Sequence, residues 1–198
     1  MATVFAGFTM SLDGFIADPD DNTENLFDWF DSGDTEFVFP NGKFTVHLSP
    51  ASAMVMRDIW QRVGAIVTGR RMFDIAHGWG GTHPLNVPVF VVSHSIPEGW
   101  PRDDAPFTFV TGVADGVERA IEQAKKVAGE KIVVVAGANV AQQALKAGLV
   151  DECHLLIWPV VLGGGNPALP TGTRFNLELL DERRFGSGVV HLHHAVLR

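Results

Sequence analysis

Short runs of β-branched and aromatic residues alternate with helical patterns along most of this chain, and that alternation narrows the possible folds more than any other property. It is typical of a largely parallel sheet whose two faces are covered by helices. The clearest run, residues 131–136, is almost entirely apolar, as expected of a strand that is buried on both faces. The sequence therefore predicts an α/β fold.

Local signals set the ends of several predicted elements. Ser49 followed by Pro50 is typical of a helix N-cap with proline in the first turn, and Gly186-Ser187-Gly188 separates two runs closely enough for an antiparallel hairpin. The predicted strands are residues 4–8, 65–68, 87–93, 107–111, 131–136, 152–162, 175–185 and 189–197. The predicted helices are residues 50–63, 113–129 and 139–147.

The segment 18–49 has a different character. It is acidic, rich in asparagine, glycine and aromatic residues, and shows no clear period. We predict a long excursion between the first strand and the first helix, with a short helix near residues 26–30. Long ordered loops in compact domains are often functional, so we expect this segment to act as a lid.

The size and charge of the chain limit its classes of function. With 198 residues, of which 46% are hydrophobic, the chain suits one domain over residues 1–198. The formal net charge of -8 argues against a nucleic acid or an anionic membrane as partner. A phosphate-bearing small molecule would therefore have to be held by a few local cations and by backbone N–H groups.

The cysteine content and the apolar pattern predict a cytoplasmic protein. Cys153 is the only cysteine, so no disulfide can form within the chain, and a reducing compartment fits best. No apolar run reaches the roughly 18 residues of a membrane span. The first residues lack the basic segment of a signal peptide and are better interpreted as a strand.

The first candidate site motif, Ser11-Leu12-Asp13-Gly14, directly follows the first predicted strand. Ligands of open parallel sheets bind at the carboxyl ends of the strands, where these residues offer a hydroxyl, a carboxylate and a close backbone approach. The chain has no tyrosine, so Asp13 is the candidate proton donor or relay. The alternative is an ordinary Asp-Gly turn without a ligand.

The second motif, Gly69-Arg70-Arg71, lies where the second long strand leads into a helix. Two arginines beside a helix N-terminus can bind phosphate, and Ser93-His94 after the next strand would add a hydroxyl and an imidazole. The alternative interpretation is a pair of solvated surface arginines.

Two glycine-containing turns complete the set. At Gly137-Ala138-Asn139-Val140-Ala141 a buried strand meets small residues and a helix, so N–H groups can approach a diphosphate; a tight turn that binds nothing is the alternative. Residues 163–168 fit the G-x-G-x-x-A spacing of a dinucleotide fold. We reject that match because Pro167 and Pro170 oppose a helix, but a glycine loop beside a ligand stays plausible.

Histidine, cysteine and tryptophan give weaker signals. His191 and His193 alternate onto one strand face, but two ligands without an evident third predict no metal site. Cys153 and His154 point to opposite faces of a strand and do not form a nucleophile-base pair. Trp29 or Trp158 would be able to stack on a flat heterocycle, with plain packing as the alternative.

Four motifs, taken in their order along the chain, resemble those of the dihydrofolate-reductase-like superfamily. They are Ser11-Leu12-Asp13-Gly14, Gly69-Arg70-Arg71, the turn at 137–141 and Pro159-Val160-Val161-Leu162-Gly163-Gly164-Gly165. The closest resemblance is to the riboflavin biosynthesis reductase family, the C-terminal domain of the bifunctional deaminase-reductase. It covers nearly the whole chain. It implies an eight-stranded, mostly parallel sheet with an antiparallel C-terminal strand, helices on both faces, and NADPH across the carboxyl edge.

The resemblance also implies roles for individual residues. The nicotinamide would be bordered by Ala6, Ser11, Gly14, Phe15 and Ile16. The phosphates would be met by Gly69, Arg70, Arg71, Ser93, His94, Gly137, Ala138, Asn139, Val140 and Ala141. The substrate pocket would be lined by Thr9, Asp13, Trp29, Trp158, Leu162 and Gly163.

The function implied is hydride transfer from NADPH to a small heterocyclic substrate, as in 5-amino-6-(5-phosphoribosylamino)uracil reductase, with a homodimer as the expected assembly. True dihydrofolate reductases carry an acidic residue early in the first long helix. Here residues 50–55 contain no acidic residue, and the first one in this predicted helix is Asp58. A dihydrofolate reductase with an atypical pterin pocket is therefore one alternative. Another is a relative that binds a nucleotide or senses a ligand without catalysis.

Overall fold

An eight-stranded sheet organises the chain in this computed structural model, which describes residues 2–23, 26–112, 115–185 and 188–197. Strands of the sheet and of two small two-stranded sheets are, in chain order, β1 Val4–Ser11, β2 Phe15–Ala17, β3 Thr35–Val38, β4 Thr45–Leu48, β5 Val63–Gly69, β6 Val89–Ser93, β7 Phe107–Thr111, β8 Ile132–Ala136, β9 Glu152–Trp158, β10 Asn166–Pro167, β11 Asn176–Arg184 and β12 Val190–Leu197.

The order of strands in the large sheet is β11-β12-β9-β1-β8-β5-β6-β7. All pairs from β9 to β7 are parallel. β12 runs antiparallel to both β9 and β11. This arrangement confirms the predicted fold, including the antiparallel strand at the C-terminal end of the chain.

Helices cover both faces of the sheet. They are α1 Pro50–Arg62, α2 Arg70–Ile75, α3 Gly116–Ala128 and α4 Ala138–Lys146, with 3-10 turns at Asp28–Asp31 and His77–Gly81. Residues of α3 and α4 pack with β1, β5 and β8 in one core, and α1 packs in a second core on the other face. No helix in the described ranges is long and apolar enough to cross a membrane.

The predicted ends of elements are confirmed where a local signal sets them. The Ser49 hydroxyl accepts the Ser52 N–H at 3.2 Å and caps α1, as the Ser-Pro pair predicted. β9 ends at Trp158 and not at residue 162, because Pro159 has no N–H to continue the ladder. The predicted residues 113–114 of the third helix and 186–187 of the hairpin loop lie outside the described residues.

The excursion 18–49 is more ordered than its sequence indicates. The predicted excursion contains two strands that the sequence analysis did not assign, β3 and β4, which pair as an antiparallel hairpin. The short helix predicted near residues 26–30 is a 3-10 turn at Asp28–Asp31. The buried side chains of this segment join α1 in one core; they are Trp29, Phe37, Phe39, Val46 and Leu48. Most of the excursion is thus part of the folded body, and its exposed residues include those in the turns at 19–22 and 42–45.

Candidate functional site

The carboxyl ends of five neighbouring parallel strands bring the sequence motifs to one edge of the sheet. Because β9, β1, β8, β5 and β6 all run in the same direction, the segments that follow them emerge side by side. These are the glycine loop at 160–167, the Asp-Gly turn at 12–14, the turn at 137, the start of α2 and the turn at 93–95. This edge is the candidate site.

Asp13 anchors the glycine loop to the end of β1. Its two carboxylate oxygens accept the Leu162 N–H at 3.1 Å and the Gly163 N–H at 2.7 Å. A hydrogen bond from the Ser11 side chain, followed by these two backbone hydrogen bonds, lowers the pKa of Asp13 below its ordinary value. Asp13 is therefore an ionised acceptor at neutral pH, positioned at the mouth of the site.

A second set of contacts holds the glycine loop along β2. Asn166 and Pro167 form β10, which pairs antiparallel with Ala17 and Phe15. The Ala168 N–H donates to the Gly14 carbonyl at 2.9 Å. The residues after the glycines are extended, which agrees with our rejection of a dinucleotide-type helix there.

The turn between β8 and α4 leaves the amino end of a helix open. Gly137 has φ 86°, which favours glycine, and no side chain caps the first turn of α4. A Cβ built on Gly137 would meet nothing closer than Met72 at 3.8 Å and Thr68 at 3.9 Å. Free N–H groups at the start of this helix, beside a residue without a side chain, suit an anionic group.

The two arginines of the second motif have different partners. Arg70 donates to both oxygens of Asp74 at 2.7 and 2.9 Å and to the Ser95 carbonyl at 3.2 Å. The Ser93 hydroxyl donates to the same carbonyl at 2.6 Å, so Arg70 joins α2 to the end of β6. Arg71 is 74% exposed and pairs with Asp21.

Asp21 ties the turn at 18–22 to the candidate site. Besides pairing with Arg71, its carboxylate accepts a hydrogen bond from the Asn166 side chain. Arg71 follows β5 and Asn166 follows β9, and β8 and β1 lie between those strands. Asp21 therefore bridges across the carboxyl ends of the two central strands. No sequence signal linked it to Arg71, since the pair is distant in the chain.

The remaining predicted residues are spread over different environments. Ala6, Val140 and Ala141 are buried in the core beneath the edge, Ser93 is buried, and His94 is exposed. Thr9 and Trp158 are half-buried, and Trp158 is the register partner of Ser11 at the end of β1. Trp29 is only 1% exposed, so it offers no ring face for stacking, and the structure removes it from the predicted substrate pocket.

Comparison with known proteins gives the family. The model of the RibD C-terminal domain matches residues 2–191. The uncharacterized protein YyaP of Bacillus subtilis is 30% identical over 151 residues, which is 70% of this chain and 77% of that protein. The family model spans all the strands and turns that form the candidate site.

Two solved structures share the fold at low identity. A protein from Shewanella sp. PV-4 superposes with a TM-score of 0.71 at 23% identity, covering 100% of both chains. The riboflavin biosynthesis reductase Rib7 of Saccharomyces cerevisiae gives a TM-score of 0.63 at 12% identity, covering 99% of this chain and 90% of that one. Since the family model spans almost the whole sequence, the chain belongs to the RibD C-terminal domain family, the reductase family of riboflavin biosynthesis.

Proposed function

We propose that this protein is an NADPH-dependent reductase that transfers a hydride to a small heterocyclic substrate, in the manner of 5-amino-6-(5-phosphoribosylamino)uracil reductase. The observation that carries the proposal is the convergence, at one sheet edge, of the open N-terminus of α4, the cationic Arg71 and the glycine loop anchored by Asp13. Family membership supports the reductase chemistry.

The phosphate half of the cofactor fits the β8–α4 turn. The first N–H groups of α4 would donate to the pyrophosphate, and Gly137 would let it approach without a side chain in the way. Arg71 would add a charge-assisted contact, and Ser93 with His94 would lie at the ribose 2'-phosphate. Arg70 would act indirectly, since its guanidinium already joins Asp74 and Ser95.

The reacting half would lie between β1 and the glycine loop. The cofactor supplies the hydride when bound, and the protein would hold the nicotinamide ring and the substrate within reacting distance of each other. Ser11 accepts the Phe15 N–H at 2.9 Å and so fixes the turn that would border the nicotinamide with Gly14 and Ile16. Thr9, Trp158, Leu162 and Gly163 would form the substrate wall.

The lowered pKa of Asp13 refines its role. An ionised carboxylate cannot donate a proton directly at neutral pH, so the proton would come from a water that Asp13 holds and polarises. Its main effect would be to position the glycine loop against the substrate. The turn at 18–22 would complete the site from the other side. The predicted homodimer and cytoplasmic location stay predictions.

Binding of the purified protein to NADPH and to NADH, followed by tryptophan fluorescence, tests the proposal. We expect saturable binding with about tenfold preference for NADPH, because one charge-assisted contact to the 2'-phosphate, which NADH lacks, is worth that much. Assays of NADPH oxidation would then begin with 5-amino-6-(5-phosphoribosylamino)uracil and related pyrimidines and pterins. NADPH binding without turnover of any compound would favour a non-catalytic relative, and absence of binding would contradict the proposal.

Asp13→Asn is expected to reduce kcat about tenfold or more while the Kd for NADPH stays within about twofold, because a misplaced loop disturbs the reacting geometry and not the phosphate site. Asp20 is an exposed acid in the neighbouring turn, so Asp20→Asn is the matched control. Its kcat and its Kd for NADPH should equal those of the parent protein. A pH profile separates the roles. An anchor leaves the shape of the profile unchanged at a lower plateau, whereas loss of one limb would identify Asp13 as the acid itself.

A further inference from the structure

A polar cluster lies on the β9–β12 pair, away from the carboxyl edge. Glu152 and His154 are two residues apart on β9 and face the same side of the sheet. His193 of β12 is the register partner of His154, and His191 lies on the same face of that strand. The sequence pattern showed two histidines on one face of β12 and no third ligand; the structure adds two candidates from the neighbouring strand.

Three of these side chains point their ligating atoms at one place. The Glu152 carboxylate oxygen Oε2 lies 2.9 Å from His193 Nε2 and 3.5 Å from His154 Nε2. All three atoms lie within 4.8 Å of one another. Ligands of a tetrahedral zinc with bonds of about 2.0–2.2 Å are themselves about 3.4 Å apart, so only small adjustments are needed.

His154 is held in the orientation that a metal ligand requires. Its Nδ1 lies 3.3 Å from His191 Nε2, and its ring contacts Phe5 with centroids 4.4 Å apart. A hydrogen bond at one imidazole nitrogen fixes the ring and leaves the other nitrogen for a metal, the usual arrangement around bound zinc.

The other two ligands are accessible and adaptable. Glu152 and His193 side chains are 24% and 22% exposed, so an ion can enter from solvent and keep water in a fourth position. The rings of His154 and His193 stack at 4.0 Å with a 25° angle, so ligation requires the more exposed His193 to tilt. The nearby cation Arg62 is paired with Asp58 at 3.8 Å, which reduces its repulsion of a bound ion.

We propose that Glu152, His154 and His193 form a binding site for a divalent transition metal, with zinc as the best match, that fastens the terminal β11–β12 hairpin to β9. Two imidazoles and one carboxylate are a ligand set that zinc prefers, and calcium or magnesium would not. The site lies towards the amino end of β9, opposite the edge proposed for the cofactor, so its role is structural and does not depend on the proposed function.

Calorimetry on tag-free protein stripped with a chelator tests this site. We expect one zinc ion per chain and a zinc-dependent rise of the melting temperature, and no response to calcium or magnesium. His193→Asn and Glu152→Gln should each raise the Kd for zinc by more than about tenfold, and His191→Asn should do so by about tenfold through loss of the support to His154. His194→Asn, on the same strand but the opposite face, should bind zinc like the parent protein.

Melting curves without metal establish that each variant folds. If a histidine variant does not fold, Glu152→Gln still tests the site, because Glu152 is partly exposed and its replacement should be tolerated. Substitution by cobalt adds a second readout, because tetrahedral cobalt gives strong visible absorption that should disappear in the same variants. Absence of saturable zinc binding, or an equal Kd in the parent protein, His193→Asn and Glu152→Gln, would overturn the proposal.

Discussion

Arg71→Gln is expected to weaken NADPH binding by about tenfold, and Asp21→Asn to strengthen it a few-fold. Arg71 is the exposed guanidinium beside the open end of α4, and a charge-assisted contact to phosphate contributes about 1.5–3 kcal/mol before screening by solvent reduces it. In the structure its partner is Asp21, which an incoming phosphate must displace or share. Removing the Asp21 charge therefore frees the arginine and also lowers the negative potential at the site.

A double-mutant cycle shows whether Asp21 acts through Arg71. If it does, Asp21→Asn changes the Kd in the parent protein and has little effect in the Arg71→Gln background. Titrations at low and high salt add a check, since the difference between Arg71→Gln and the parent protein should shrink as salt screens the charge. Asp20→Asn controls for general charge. Equal affinity of Arg71→Gln and the parent protein for NADPH would remove Arg71 from the cofactor site.

The sequence predicted those features that depend on residues close in the chain. The bounds of β7, Phe107–Thr111, agree with the prediction, because a short β-branched run between turn residues determines a strand locally. The cap at Ser49 and the Gly137 turn follow from the same kind of signal. The motifs gather at one edge because all their strands are parallel, which the apolar runs indicate.

Contacts between distant segments were not predictable in this way. The hairpin of β3 and β4 is stabilised by packing on α1. Polar and apolar residues do alternate over Thr45–Leu48, but four residues are too short a signal to assign a strand pair by themselves. Trp29 is placed in that core by the same packing. The Asp21–Arg71 pair and the meeting of Glu152 with His193 depend on strand order and register, which only the folded chain supplies.

Gly165→Ala is expected to have the largest effect of any single methyl group added to the site. Gly165 has φ +124°, and a Cβ there would lie 2.0 Å from the Ala17 carbonyl oxygen and 2.7 Å from the carbonyl carbon of Asp18. Both obstacles are backbone atoms, so no side chain can move aside. The glycine loop would have to leave β2, breaking the β10–β2 pairing. We expect about 3 kcal/mol of lost stability, from overpacking and backbone strain together.

Gly163→Ala provides the matched control for this change. Gly163 also has a positive φ, +74°, but a Cβ there would meet nothing within 4 Å, and alanine keeps the N–H that binds Asp13. Gly163→Ala should lower the free energy of unfolding by only about 1–2 kcal/mol, which is the cost of a left-handed conformation for a residue with a Cβ. Urea unfolding gives the free energy of unfolding of both variants. The value of kcat/KM should fall much further in Gly165→Ala, because the loop that would face the substrate is displaced. Equal unfolding free energies for the two variants would mean that the loop has room to move, and its contact with β2 would then not position the site.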